Sequence, residues 1–389
     1  MTKVSKRVKG IPFSGIRKFF DLVSERKDII SLGVGEPDFP TPAPMKDAGI
    51  RAIEMDYTAY TSNYGLLELR EKIAEKLKRE NGISANPKNQ ILITTGTSEA
   101  LDLSFRAILD PGGEVIVPEP SYVSYNPCVW FAHCKPVPVP MKEENQFRVQ
   151  PSDIKKKITK KTKAIIVASP NNPTGGVLKK EDLEGIAELA IKHDLTVISD
   201  ELYEHLIYDN EKHYSIGSFK NMADRTITIN GFSKAYAFTG WRLGYVTASP
   251  EIIECMMKIH QYIMLSAPTI SQHAALKFEE SKRYTKEMVE EYDKRRKLLA
   301  SGLNDIPGLS CITPKGAFYV FANIKKTGMS SEKFAERLLK EAGVAVVPGN
   351  SFGESGEGYI RMSYSVSRES IKEALERIKR FMEKEKKKR

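Results

Sequence analysis

The sequence predicts an α/β fold: a large domain built on a mainly parallel sheet between helices, followed by a smaller α+β domain. Three observations predict it. The chain has 389 residues, more than one hydrophobic core usually serves. From about residue 90 to residue 250, short β-rich runs alternate with helical patterns. After about residue 280 that alternation gives way to a long charged helical pattern and scattered short strands.

The β-rich runs are ILITT (91–95), EVIVP (114–118), AIIVAS (164–169), TVISD (196–200), TITIN (226–230) and LGYVTA (243–248). Each is almost continuously apolar or β-branched, which is how strands covered on both faces read. Two helices stand out between them. One spans about Thr97 to Leu109, with Leu101, Phe105, Ile108 and Leu109 on one face. The other spans Glu181 to His193, with Leu183, Ile186, Ala187, Ala190 and Ile191 at helical spacing. In sheets of this kind, ligands bind beyond the carboxyl ends of the strands.

The later part reads as a helix from Ser281 to Leu303, the segment GAFYVF, a helix over Ser331–Ala342, VAVVPG, YIRMSYS and a last helix from Arg368. The first 45 residues are Pro-rich around Gly35–Pro44. The expected division is residues 1–45 as an N-terminal arm and part of the small domain, 46–280 as the large domain, and 281–389 as the small domain.

Composition narrows the function. Apolar residues make up 41% of the chain, as in globular proteins. No apolar run reaches the ~18 residues that would suggest a membrane span. The start, MTKVSKRVKG, lacks the apolar stretch and cleavage site of a signal peptide, so a cytoplasmic location is expected. Cys128, Cys134, Cys255 and Cys311 have no metal-type spacing and read as buried free thiols. The net charge of +10 sits partly in Lys155–Lys157, Lys160–Lys163 and the tail Lys384–Arg389. These read as solvated helix faces and a frayed end, with no base-stacking motif beside them, so no nucleic-acid partner is expected.

Five signals carry chemistry. Thr95-Gly96-Thr97-Ser98-Glu99-Ala100 joins a strand to a helix; free N–H groups and hydroxyls there suit a phosphate, or simply cap the helix. Asn171-Asn172-Pro173-Thr174-Gly175-Gly176 follows a strand and reads equally as a turn. Asp200-Glu201-Leu202-Tyr203 puts acids at the end of a buried strand, where they need partners. They could cap a helix or hold a metal, but no neighbouring histidine or second acid cluster completes a metal site. Ser233-Lys234 follows a buried strand, so desolvation could free the amine as a nucleophile, and Arg242 downstream suits a phosphate; both could also be surface cations. Arg361 in YIRMSYS sits among apolar residues and suits a carboxylate, unless it lies on an edge strand. Together these are a reactive amine, an acid, a phosphate seat and a carboxylate clamp, the parts needed for pyridoxal-phosphate chemistry on an amino acid.

With these segments in order, the sequence resembles the class I/II aminotransferases of PLP fold type I, and within them the archaeal and bacterial aspartate and aromatic branch. The resemblance runs from about Ile16 to the last helix. It rests on SLGVGEPDF (31–39), Tyr60 with YGLLELR (64–70), GTSEA (96–100), SPNNPTGG (169–176), SDELYEHLIYD (199–209), NGFSKAYAFTGWRLGY (230–245), PKGAFYVF (314–321) and VAVVPGNSFG with YIRMSYS (344–365).

The resemblance implies a cofactor, pyridoxal 5'-phosphate, held by Lys234 as a Schiff base, with Lys234 then moving protons. It implies that Asp200 pairs with the pyridine nitrogen, that Tyr203 and Asn172 bond the ring hydroxyl, and that Tyr122 stacks on the ring. Gly96, Thr97, Ser98 and Arg242 would hold the phosphate, with Ser233 assisting and Tyr60 arriving from a partner subunit of a homodimer. Arg361 would clamp the substrate carboxylate, helped by Asn172 and the backbone of Gly35, whose segment would close over the substrate. The implied reaction moves an amino group from an aspartate or aromatic donor to 2-oxoglutarate by ping-pong kinetics, with no metal. A cis Asn172–Pro173 bond is also implied.

Two positions depart from the pattern. Gly231 stands where many relatives carry a phosphate-binding serine, leaving one contact in doubt. Tyr122 stands where several aspartate enzymes carry tryptophan. No second arginine for a side-chain carboxylate is identifiable. A C–S lyase or aminocyclopropane-carboxylate synthase on the same fold would share Lys234, Asp200 and Arg361. A PLP domain in a transcription regulator would need a DNA-binding module, for which the chain leaves no room before Ile16. Donor choice is expected to lie around Ile16, Gly35, Tyr122 and the partner subunit.

Overall fold

A computed structural model describes residues 4–11, 13 and 28–387. Ile16 lies outside the described residues, as does part of the N-terminal arm.

The central sheet has seven strands: β1 (Ile91–Thr94), β2 (Glu114–Glu119), β3 (Lys135–Pro140), β4 (Thr162–Ala168), β5 (Thr196–Asp200), β6 (Thr226–Gly231) and β7 (Gly244–Thr247). Their spatial order is β1-β7-β6-β5-β4-β2-β3. The contacts β2–β3, β2–β4, β4–β5 and β5–β6 are parallel, whereas β7 runs antiparallel to both β1 and β6. The apolar runs read from the sequence are all strands here, and residues such as Ile93, Ile116, Ile165, Ile198 and Val246 are fully buried. Strand β3 was not read. Its sequence, KPVPVP, carries prolines that cannot donate to a ladder, and it lies at the sheet edge, where such a strand is tolerated.

The two helices between strands span Gly96–Ile108 and Lys180–Lys192, each within a residue or so of the expected bounds. Of the first helix's expected face, Leu101, Phe105 and Leu109 are buried. Helices Lys282–Asn304, Ser331–Ala342 and Arg368–Lys387 also match their expected places. The Lys384–Lys387 stretch continues the last helix rather than fraying. Lys155–Lys157 are exposed as expected, but the short helix before them ends at Lys155, so they sit mostly on a turn. All four cysteines are free, and only Cys134 is fully buried, the others being partly exposed.

A separate three-stranded antiparallel sheet has the order β9 (Val347–Pro348), β10 (Tyr359–Ser363), β8 (Tyr319–Asn323). Strand β10 is its centre. Arg361 is therefore not an edge-strand charge; it is 2% exposed. Ile30–Ser31 pairs in parallel with Val344–Ala345, which ties the N-terminal segment to the C-terminal part. Among the described residues no helix is long and apolar enough to cross a membrane.

Candidate active site

The carboxyl ends of β1, β2, β4, β5 and β6 share one edge of the sheet, and four of the five polar signals read from the sequence sit at or just past one of them; the fifth, Arg361, comes from β10 of the other sheet. Asp200 is the last residue of β5, between Ala168 of β4 and Ile229 of β6. Lys234 follows β6 and Asn172 follows β4. The reversed direction of β7 matters here. Its start, not its end, lies at this edge, so Arg242 just before Gly244 faces the same place.

These residues line a cavity of about 480 Å³, within the range of small-molecule sites. Its walls include Gly35, Thr97, Ser98, Tyr122, Asn172, Asp200, Tyr203, Ser233, Lys234, Arg242 and Arg361. Gly96 lies against it: a Cβ there would come within 2.7 Å of the Arg242 guanidinium, and its φ of +74° is left-handed. Glycine thus lets the arginine approach the helix start. Tyr60 is not in the cavity wall of this chain; it is 79% exposed.

Lys234 is partly buried and donates to the Gly35 carbonyl at 2.5 Å. Burial lowers its pKa from 10.5 to about 8; Glu36 opposes the shift, while Arg361 and Arg242 add to it. A sizeable fraction of this amine is neutral near pH 8, as a nucleophile must be. Between pH 8 and 10.5 the unfolded chain binds more protons at this site than the folded chain, so stability rises with pH across that window. Below it, the cofactor-free protein carries a penalty on the order of 3 kcal/mol. Cofactor-free Lys234→Met is therefore expected to resist urea better than cofactor-free wild type at pH 7, with the gap closing towards pH 10. A gap that stays constant with pH would contradict the lowered pKa.

Asp200 has its pKa raised by burial, partly offset by the Tyr125 hydroxyl, which donates to Oδ2 at 2.7 Å. Its Oδ1 accepts from the Leu202 N–H at 3.3 Å. The residues after it form turns rather than a helix, so Asp200 is not a helix cap. A buried carboxylate of this kind is stabilised by a cation or N–H brought to it. Tyr203 bonds the hydroxyl of Tyr319 at 2.9 Å, and burial pushes its pKa well up, so it is a neutral donor. Arg361 donates to Asn172 Oδ1 at 3.0 Å and to the Gly33 carbonyl at 2.7 Å, and lies over the rings of Tyr319 and Phe352. Its Nε is buried without a partner. The Asn172–Pro173 peptide is cis.

Tyr125 and Tyr319 were missed in the sequence. Neither has a local mark in the sequence, and only the fold brings its hydroxyl to Asp200 or Tyr203. The expectation that no histidine accompanies the acids is corrected. Folding brings His213 and Glu204 to Glu201, with ligand atoms within 4.8 Å of one another. However, the Lys76 ammonium is bonded to Glu204 there and already supplies a cation. At Gly231, a Cβ would come within 3.0 Å of Thr97 Cγ2 and of Gly244 Cα. The Thr97 side chain occupies the room that a larger residue at 231 would need.

The sequence matches the profile of the aminotransferase class I and II family over residues 27–378. The chain belongs to that family. It is 50% identical over 386 residues to an aspartate aminotransferase of Pyrococcus abyssi, covering 98% of this chain and 99% of the relative. It is 48% identical to aromatic-amino-acid aminotransferase 2 of Thermococcus litoralis, over 98% of this chain and 99% of that one. The solved structure of an aromatic aminotransferase from Pyrococcus horikoshii superposes with a TM-score of 0.91 at 50% identity, covering 95% of this chain and 99% of that chain. The protein is thus an aminotransferase of fold type I, acting on amino acids and oxo acids, and its cofactor is pyridoxal 5'-phosphate. The residues present fit that group. The aminotransferase offers it a buried carboxylate, a lysine with lowered pKa and a glycine-opened helix start beneath an arginine.

Proposed function

We propose that this aminotransferase takes aspartate or an aromatic amino acid as donor and 2-oxoglutarate as acceptor, in a ping-pong reaction. The observation that carries the reading is Arg361, a buried guanidinium with a free Nε, held by Asn172 and Tyr319 in the wall it shares with Lys234. A planar fork in that place suits a carboxylate. The apolar surfaces of Val34, Leu101, Tyr122 and Tyr319 in the same cavity suit an aromatic side chain. Relatives named for both donors add support.

The bound cofactor supplies an electron sink for the substrate carbanion. The residues do the rest. Lys234 holds the cofactor and carries the Cα proton. Asp200 keeps the pyridine nitrogen protonated, aided by Tyr125. Tyr203 and Asn172 would hold the ring end of the cofactor with Tyr122 beside it, and Gly96, Thr97, Ser98, Ser233 and Arg242 would hold its phosphate. Arg361 and Asn172 fix the α-carboxylate, and the Gly35 segment covers it. In this reading the chain divides into an arm and part of the small domain (1–45), a large domain (46–280) and a small domain (281–389). It also works as a homodimer in which Tyr60 reaches the partner's phosphate. Exposed Tyr60, Tyr262 and Ile263 on linked segments favour a second copy at that face.

The test is a panel of half-reactions. Purified enzyme is mixed with single amino acids, and the 2-oxo acid released is identified. Aspartate or an aromatic donor should discharge its amino group to the enzyme without a second substrate, and 2-oxoglutarate should then take it up. If neither donor does so, the assignment fails. Arg361→Lys should lower kcat/KM by about 100-fold, because an ammonium cannot form the bidentate pair. That loss should be equal for aspartate and aromatic donors, since the α-carboxylate is common to both. Unequal losses would place Arg361 at the side chain instead.

A further inference from the structure

A second polar chain runs away from the cavity behind the phosphate end. The Thr95 N–H donates to Glu99 Oε2 at 2.5 Å, and His260 Nδ1 meets Glu99 Oε1 at 2.7 Å. His260 comes from the Pro250–Ile263 helix, far along the chain, and is fully buried. Neither Glu99 nor His260 lines the cavity.

Thr95 precedes the Gly96–Ile108 helix, but its own hydroxyl makes no cap; that oxygen is buried without a partner. Glu99 does the capping from inside the helix by taking the Thr95 N–H. The N–H groups of Gly96, Thr97 and Ser98, orphaned at any helix start, are then left for the cavity. The turn they sit on is packed from other sides as well. A Cβ at Gly244 would come within 2.7 Å of Gly96 C and Thr97 N, and Arg242 presses on Gly96. The Thr94 hydroxyl holds the Gly96 carbonyl at 3.0 Å, while the Thr95 N–H is held by Glu99, and that side chain is held by His260. A carboxylate in the first turn also competes with a phosphate for the positive end of the helix. Its bond to a buried imidazole turns it away.

We propose that Glu99 and His260 are positioning residues for the phosphate-binding turn: His260 orients Glu99, and Glu99 fixes the Thr95 peptide so that the next three N–H groups converge on the phosphate. This rests on the assignment of the phosphate to Gly96–Ser98.

The test compares pyridoxal 5'-phosphate with pyridoxal, which has the same aldehyde and ring but no phosphate. The full chain is stripped of cofactor and titrated with each, following absorbance. Wild type should prefer the phosphate form strongly; if it does not, the phosphate assignment itself fails. His260→Leu should weaken pyridoxal 5'-phosphate about tenfold, as expected for one lost hydrogen bond to a charged group, and leave pyridoxal within about twofold. His260→Asn, whose amide nitrogen can stand at the Nδ1 position, should recover most of the loss. Equal weakening of both ligands would make the pair merely structural, and no change in either would also overturn the proposal. Should His260→Leu fail to fold, Glu99→Gln gives the same reading, because the amide keeps the shape but holds both neighbours less firmly. An unaltered ratio between the two ligands in that variant overturns the proposal.

Discussion

Replacing Lys234 by alanine is expected to abolish turnover while leaving the fold intact. No other lysine lines the cavity among the described residues. Lys234 stands at the end of β6 with its amine on the Gly35 carbonyl and its pKa brought to about 8. Loss of a general acid/base contributes about 10²–10⁴-fold, and loss of the covalent link adds to it. The fall in kcat should therefore exceed about 10³-fold. Lys234→Arg should be as inactive, since a guanidinium keeps its proton and cannot act as the nucleophile. Both variants should retain the circular dichroism of wild type, because the strand before Lys234 is set by Ile227 and Ile229 in the core. Lys234→Ala turning over within tenfold of wild type would remove the assignment.

The local sequence around Lys234 allowed it to be a surface cation. What decides the matter is position at a strand end, and the sequence carried that much. The strands are continuous apolar runs because both faces are covered, so their ends, and the residues after them, could be read directly. What could not be read is direction and edge. The reversal of β7 is invisible in LGYVTA, yet it is the reason Arg242 reaches Gly96. Strand β3 hides behind its prolines, which are permitted at an edge where no other strand among the described residues pairs. Tyr125 and Tyr319 carry no local mark, since a tyrosine buries its ring whether or not its hydroxyl does chemistry. His213 reaches Glu201 only through the turns after β5. Tyr60 is exposed on this chain, and Ile16 lies outside the described residues.

The buried network beneath the site leads to the largest expected loss of stability. Glu201 follows Asp200 directly and Glu204 comes three residues later, and they are 1% and 8% exposed. Glu201 accepts from Ser199, Ser215 and Asn81 and meets His213 at 2.9 Å. Glu204 accepts from Asn81 at 2.7 Å, from Asn230 at 2.6 Å and from the Lys76 ammonium. Burial alone would raise the Glu204 pKa, but the charges of Lys76, His205 and His213 hold it well below the usual carboxylate range. That stability is present above the unfolded carboxylate pKa and is lost as pH falls towards the folded one. Lys76→Met removes the first of those charges and leaves a buried carboxylate undercompensated. The expected cost is about 3–5 kcal/mol in urea unfolding at pH 7. The double variant Lys76→Met/Glu204→Gln should recover much of it, because the amide keeps an acceptor for Asn230 and carries no charge to strand. The damage should also reach the site. Asn230 lies on β6 and accepts the Gly231 N–H at 2.7 Å, while Glu204 anchors the turn that carries Tyr203. Cofactor affinity should therefore fall with stability in the single variant and return in the double. A single variant costing less than about 1 kcal/mol would mean that water or His213 replaces the ammonium, and that the network is not held by Lys76.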